Sequence, residues 1–300
     1  VKRSKYEVFV KVVEFGSLSR AADYCNYSQS AVSQIISSLE NELGIKLLNR
    51  SHAGVWLTSD GEQLLPYIRN LSIAHHELSD KVFELLGIES GLIRIGSFSS
   101  VSCHLLPPIL KDFKAKRPNI RFELLQGDYR EIERWIADGT VDFGFVVQPA
   151  LKEFEVIPIC EDRMLAVLPA THTYASHELV PLQLFEQEPV ILLDEGTKKE
   201  VLEMFRKHHL KPHIEYRSED DYTIMSMVEN ELGISILAEL VLNRNPYRIV
   251  AKETSPGFSR KIGIAIKNKS QASMAVRCFL DYVIENKERY ITSPLKYSAS

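Results

Sequence analysis

Cysteine is scarce in this chain. Four are scattered through 300 residues, Cys25, Cys103, Cys160 and Cys278, with no Cys-x-x-Cys pair. That spacing excludes a disulfide framework and a zinc ribbon, and the four are expected to be buried thiols of a reducing cytosol. Long hydrophobic runs are missing too, so no segment is expected to cross a bilayer, and the charged, amphipathic stretch 1–13 is not built like a signal peptide. There is no basic excess: 36 Lys and Arg stand against 40 Asp and Glu, a net charge of −4, which excludes a polybasic membrane anchor. No repeat or low-complexity tract interrupts the chain, and residues 292–300 read as a polar tail. A catalytic constellation is also absent. The adjacent pairs Cys103-His104, His75-His76 and His208-His209 would diverge on a helix, so none of them forms a catalytic or metal site unaided. The expectation is a cytoplasmic protein that is not an enzyme and needs neither metal nor cofactor.

What is present is enough apolar material, 45% of residues, to fill more than one core, and the length fits two or three domains. Residues 17–39 hold two short amphipathic helical patterns around a polar break. Leu18, Ala21 and Ala22 form one stripe, on a helix opened by Ser17 or Ser19; Val32, Ile35, Ile36 and Leu39 form the other, on a helix opened by Ser28. Ala22 is small enough for the helices to cross closely, and Asn26 tolerates the left-handed backbone that the turn needs. The opposite face of the second helix presents Gln29, Ser30, Ser33, Gln34 and Ser37. Gln pairs bidentately with adenine and Ser bonds base edges or phosphates, so this face suits a helix lying in a DNA major groove. An ordinary surface helix pair would share the pattern up to this point. Beyond Gly44, a helix C-cap, residues 45–50 and 55–58 read as two short strands around a turn, a wing.

The run Phe15-Gly16-Ser17-Leu18, Ala21-Ala22, Ser28-Gln29-Ser30-Ala31-Val32-Ser33, Ile36, Leu39-Glu40, Leu43-Gly44, Leu47-Leu48, Arg50, Leu57-Thr58 and Gly61 closely resembles the LysR-type transcriptional regulators. Ordered matches over some sixty residues are far more specific than a lone motif. The resemblance implies a winged helix-turn-helix with Ser28, Gln29, Ser30, Ser33, Gln34 and Ser37 toward double-stranded DNA and Arg50 of the wing near the minor groove or its phosphates. Leu48 and Asn49 depart from the family, which often has an aromatic or charged residue there.

Up to Asp60 seven basic residues (Lys2, Arg3, Lys5, Lys11, Arg20, Lys46, Arg50) face six acidic ones (Glu7, Glu14, Asp23, Glu40, Glu42, Asp60), a net of one positive charge. Phosphate neutralisation supplies non-specific affinity, so one such head binds weakly and two or more are needed on one DNA. A pairing element follows. Ser59-Asp60-Gly61-Glu62 has the form of a capping box, with Thr58 an equally good cap. Leu64, Ile68, Leu71, His75, Leu78, Val82 and Leu85 then recur at spacings of four and three, as in a coiled-coil seam; an amphipathic helix packed on its own domain has the same spacing. Pro66 is placed to kink this helix, and Gly87 and Gly91 mark its end and a hinge. The resemblance implies that this linker pairs two DNA-binding heads.

From residue 91 strands and helices alternate. Strands are expected at 92–96, 120–126, 141–147, 190–193, 213–217, 234–237 and 261–266, and helices at 101–116, 129–138, 198–208, 222–231 and 270–286, as an α/β domain with a mostly parallel sheet. Gly96, Leu105–Leu110, Phe113, Pro118, Gly127 and residues 139–145 extend the resemblance to the LysR-type effector domain, which is similar to periplasmic solute-binding proteins. The expected organisation is therefore a mainly α winged helix-turn-helix (1–58), a linker helix (59–87) and a two-lobe α/β effector domain (88–300), with lobe I at 91–162 and 267–300 and lobe II at 163–266.

Two lobes leave a cleft, and ligands of open α/β sheets sit at the carboxyl ends of strands. The candidates are Ser99, Ser100, Ser102, Gly127, Asp128, Val147, Gln148, Gly196, Thr197, Ser218 and Gly233. Ser99, Ser100 and Ser102 lead into a helix whose unpaired N–H groups favour an anion, a carboxylate by first expectation, although plain helix capping explains such serines equally well. The resulting expectation is a bacterial regulator governed by a small-molecule effector, working as a dimer or tetramer with RNA polymerase as a further partner. A transport solute-binding protein would account for residues 91–286 and leave the N-terminal reader unexplained. A thiol redox sensor would need two cysteines able to meet, and none lies between Arg163 and Arg260.

Overall fold

The computed structural model describes residues 3–51, 54–85, 91–194, 200–243 and 245–291, except the side chains of 77, 80, 83 and 84. The chain divides into two compact units, residues 1–90 with 137–140, and 91–136 with 141–300.

The first unit contains α1 (Lys5–Phe15), α2 (Leu18–Cys25), α3 (Gln29–Leu43), the antiparallel pair β1 (Leu48–Ser51) and β2 (Gly54–Leu57), and the long α4 (Ser59–Leu85). Each short helix begins where a serine accepts a backbone N–H: Ser4 from Glu7, Ser17 from Arg20 and Ser28 from Ala31. That resolves the start of α2 in favour of Ser17. Thr58, not Ser59, opens α4, its Oγ1 accepting Gly61 N–H at 2.9 Å. Asn26 and Gly44 close α2 and α3 in the left-handed region at φ 56° and 67°. The sequence reading had no helix at α1, yet Val8, Phe9 and Val12 of α1 join Ala21, Ala22, Cys25, Val32, Ile36 and Leu39 in one core. Ala22 is buried at the crossing, as its size allows.

The second unit runs β3 (Gly91–Ser97), a π-helical turn (Val101–Leu105), α5 (Leu106–Lys116), β4 (Ile120–Gln126), α6 (Tyr129–Ala137), β5 (Phe143–Val147), β6 (Glu155–Pro169), β7 (Leu179–Pro181), α7 (Leu184–Gln187), β8 (Val190–Leu193), α8 (Glu200–Lys207), β9 (Ile214–Ser218), α9 (Asp221–Glu229), β10 (Ser235–Ala238), α10 (Glu239–Leu242), β11 (Ile249–Ile266) and α11 (Met274–Ile291). The helix expected at 101–116 is split because Pro107 and Pro108 have no N–H to donate, and Leu106 N–H reaches back to Val101 O.

One sheet of order β10-β6-β11-β5-β3-β4, with β7 beside β11, spans the unit. It is mixed rather than mostly parallel: β3 pairs with β4 and β5 in parallel, whereas β11 pairs antiparallel with β5 and β6, and β10 antiparallel with β6. The difference lies in β6, absent from the sequence reading, and β11, of which only the last third was anticipated. These strands of 15 and 18 residues extend on the order of 50–60 Å, long enough to belong to both lobes. Along β6, Met164, Ala166 and Leu168 enter one core of lobe II, while Leu165 and Val167 enter the other. A strand buried on both faces reads as a continuous apolar run, not as an alternation, which is how Met164–Leu168 escapes a period-two search. Lobe I has its own core, where the rings of Phe113 and Phe143 pack on Phe279.

Candidate functional site

Two surfaces carry functional geometry, one in each unit. In the first unit α3 buries Val32, Ile36 and Leu39 and turns Gln29, Ser30 and Gln34 outward, with Ser33 and Ser37 half-buried. Ser28 is occupied as the N-cap, and its hydroxyl lies 2.9 Å from that of Ser30. Arg50 of the wing donates to Ser33 Oγ at 2.9 Å, so the wing arginine and the outward face of α3 are neighbours.

A residue without a role in the sequence reading organises this neighbourhood. The Glu40 carboxylate is 3% exposed. Its Oε1 accepts Leu47 and Leu48 N–H at 2.9 and 3.2 Å, and its Oε2 accepts Lys46 Nζ at 3.0 Å. Burial alone would raise its pKa, but the Lys46 ammonium and the two backbone donors outweigh that and hold it below the usual carboxylate range. The sign follows: a depressed folded pKa contributes stability that is complete above the unfolded carboxylate pKa, about 4.3, and disappears as pH falls through the lower folded value. Acidification below about pH 4.3 is therefore expected to destabilise the first unit more in the wild type than in Glu40→Gln, read from Trp56 fluorescence in a Trp135→Phe background. Parallel acid profiles would contradict this.

On α4 the seam changes character along its length. Leu64 and Ile68 pack into the core of the unit, whereas Leu71, Leu78, Val82 and Leu85 are exposed by 48, 64, 44 and 75%. The reading of a helix packed on its own domain therefore holds for the first half, and the second half leaves the seam exposed. Pro66 lies within it, and the helix is continuous from Ser59 to Leu85.

In the second unit the lobes meet over Arg260, which the sequence reading omitted. Arg260 on β11 stands opposite Asp162 on β6 in the antiparallel register, and both are 5% exposed. The Nε of Arg260 donates to Asp162 Oδ2 at 2.9 Å, Nη1 to the Tyr129 hydroxyl at 2.9 Å and Nη2 to Ser100 Oγ at 2.8 Å. Its guanidinium carbon lies 5.1 Å from the centre of the Phe98 ring. The other Asp162 oxygen accepts Leu240 N–H from α10 at 2.9 Å. Lobe I, the crossing strands and lobe II are thus joined through one buried ion pair.

An inner cavity of about 30 Å³ adjoins this pair, lined by Ser100 and Arg260 and, from lobe II, by Met164, Leu192, Asp194, Asp221 and Ile236 among others. It has space for one or two waters. A wider mouth of about 300 Å³ is lined by Phe98, Ser99, Gly127, Asp128, Tyr129, Glu131, Asp194 and Glu219. Of the anticipated residues, Ser100 faces the inner cavity and Ser99, Gly127 and Asp128 face the mouth. Ser102, Val147, Gln148, Ser218 and Gly233 line neither. Ser102 is bonded to Ser97 at 2.6 Å, Gln148 N–H to Lys261 O, and Ser218 Oγ to Asp220 N–H. Gly196 and Thr197 lie outside the described residues. Asp128 also caps α6, its Oδ1 accepting Glu131 N–H at 2.8 Å. The described lining is rich in carboxylates, and its guanidinium is engaged by Asp162, Tyr129 and Ser100. A carboxylate ligand meets no uncommitted cation among these described lining residues.

Of the four thiols expected to be buried, only Cys25 is; Cys160 and Cys278 are half-buried and Cys103 is exposed. Cys160 is pushed up to about 11 by burial and by Asp162, which keeps it protonated and unreactive as a nucleophile. Among the described residues no helix is long and apolar enough to cross a membrane, and no group of His, Cys, Asp or Glu has the arrangement to hold a metal.

Residues 4–62 match the model of the bacterial regulatory helix-turn-helix proteins of the lysR family, and residues 87–288 that of the LysR substrate binding domain. An uncharacterized HTH-type transcriptional regulator of Bacillus subtilis, YvbU, is 32% identical over 285 residues, covering 94% of this chain and 97% of that protein. In fold, the chain is similar to full-length CbnR in complex with its target DNA, with a TM-score of 0.68 at 18% identity over 94% of this chain and 98% of that one. It is also similar to the effector binding domain of QuiR in complex with shikimate, with a TM-score of 0.60 at 19% identity over 67% of this chain and 99% of that one.

Proposed function

The chain belongs to the LysR family of bacterial transcriptional regulators, and on that premise we propose that its promoter binding is set by a small molecule held between the two lobes of residues 88–300. The observation that carries the reading is a cleft floored by Ser100 and the buried Arg260–Asp162 pair, in a chain that also presents a polar face on α3. In this proposal α3, with Gln29, Ser30, Ser33, Gln34 and Ser37, enters the major groove while Arg50 meets the backbone beside it; Ser28 orders the start of the helix. The exposed seam from Leu71 to Leu85 pairs with the same seam of a second copy, and dimers of dimers occupy tandem half-sites in the cytoplasm. RNA polymerase is the further partner of such an assembly when it activates.

The switch is a linkage effect: the effector shifts DNA affinity by as much as it distinguishes the lobe arrangements. CbnR, which was solved on its target DNA, and QuiR, solved with shikimate, show the two kinds of binding that the proposal brings together in this chain. The test is thermal unfolding of the full chain against a library of carboxylates, amino acids, sugars, aromatic acids and amines. A ligand at a hundredfold its Kd adds about 2.7 kcal/mol and raises the midpoint by several degrees, and Ser100→Ala should abolish the shift. Footprints and transcription that stay unchanged when such a ligand saturates the protein would refute the switch.

A further inference from the structure

We infer that Glu40 is a positioning residue that sets DNA specificity, by fixing the wing against the recognition helix and by offsetting the positive charge of Lys46 and Arg50. The inference rests on the reading of α3 and the wing as the DNA-binding surface. A carboxylate in the last turn of a helix is opposed by the helix dipole, and at 3% exposure it is also desolvated. Both costs are met at one place, by the first residues of the wing. Leu47 and Leu48 N–H bind one oxygen, Lys46 Nζ binds the other at 3.0 Å, and Arg50 Nη2 lies 3.9 Å from that same oxygen. The next layer is tied to this point: Thr58 donates from its hydroxyl to Lys46 O and from its N–H to Leu47 O, which seats the start of α4.

Two consequences follow for DNA. The recognition helix and the wing are held in register by one side chain, and Arg50 sits where its other contact, to Ser33 at 2.9 Å, aligns it with the reading face. Second, the charge of Glu40 is subtracted from the two cations nearest the phosphates. With a net of only one positive charge up to Asp60, removing it raises that net to two and strengthens the attraction of the head for any DNA, whatever its sequence.

The experiment compares the full-length wild type, Glu40→Gln and Glu40→Asp on two duplexes: one enriched from a random pool by the wild type, and a scrambled version of it. Glu40→Gln is expected to bind the scrambled duplex several-fold more tightly, with a salt slope steeper by about one, and to lose about tenfold in preference for the enriched duplex. Glu40→Asp keeps the charge and shortens the reach, so scrambled binding and salt slope should stay at wild-type values while the preference falls. A merely structural role would lower binding to both duplexes in proportion, and equal changes on both would overturn the inference. If Glu40→Gln melts below the assay temperature, the Glu40→Asp result decides alone, since an unchanged preference refutes positioning. A wild type that enriches no sequence at all would instead overturn the reading of α3 on which the inference stands.

Discussion

Arg260→Met lowers the stability of the two-lobe unit by about 3–5 kcal/mol, because it strands the buried Asp162 carboxylate without its cationic partner. Asp162 is 5% exposed and keeps one contact, Leu240 N–H. Tyr129 and Ser100 lose the donors that Arg260 extends to them. For a unit of about 200 residues the expected fall in melting temperature is roughly 6–20 °C, measurable by calorimetry on the full chain. The companion variant distinguishes the charge from the packing. Arg260→Met combined with Asp162→Leu replaces both ions by apolar groups and should recover most of the loss, since a buried pair is often worth little net against a well-packed apolar pair. A single variant that melts within a degree of the wild type would show that solvent reaches Asp162.

Gln34→Ala weakens binding to an enriched duplex by about 1–3 kcal/mol, roughly 5-fold to 150-fold, and leaves a scrambled duplex almost unaffected. Gln34 is exposed on the face of α3 opposite Val32, Ile36 and Leu39, where its amide has the donor and acceptor needed to read adenine. Arg50→Ala acts differently, weakening both duplexes and flattening the salt slope by about 0.9, the share of one phosphate contact. Fluorescence anisotropy titrations at several salt concentrations separate the two. Equal losses on both duplexes for both variants would contradict the division between base reading and phosphate contact.

From α2 onward the N-terminal unit was readable in the sequence because its signals are local. Serine caps, the left-handed Asn26 and Gly44, and the stripe of Val32, Ile36 and Leu39 all act within a few residues. The cleft is different in kind. Asp162 and Arg260 are 98 residues apart and become partners only through the pairing of β6 with β11. A clue existed all the same: Arg260 shares the parity of Ile262, Ile264 and Ile266, which are all buried, and a cation on the inward face of a strand demands a partner. Arg260 lies one residue before Lys261, where the sequence pattern starts the strand. The anticipated serines fall beside the cleft, yet a shift of two positions decides their surroundings: Ser100 accepts from Arg260, while Ser102 turns back to Ser97. Choosing between them requires the tertiary partner, which no local pattern names.

The size of the inner cavity bears on time as well as affinity. Among the described residues the inner space of about 30 Å³ holds one or two waters, so an effector of the proposed kind that reached Ser100 and Arg260 would do so as the lobes part, a motion of microseconds to milliseconds in proteins. The observed association rate should then rise with effector concentration only until it equals the opening rate, and level off. In the proposed function the same motion would slow departure, so a promoter once switched would hold its state through brief falls in effector supply. Under the proposed function, a regulator with this cleft answers the running average of its signal.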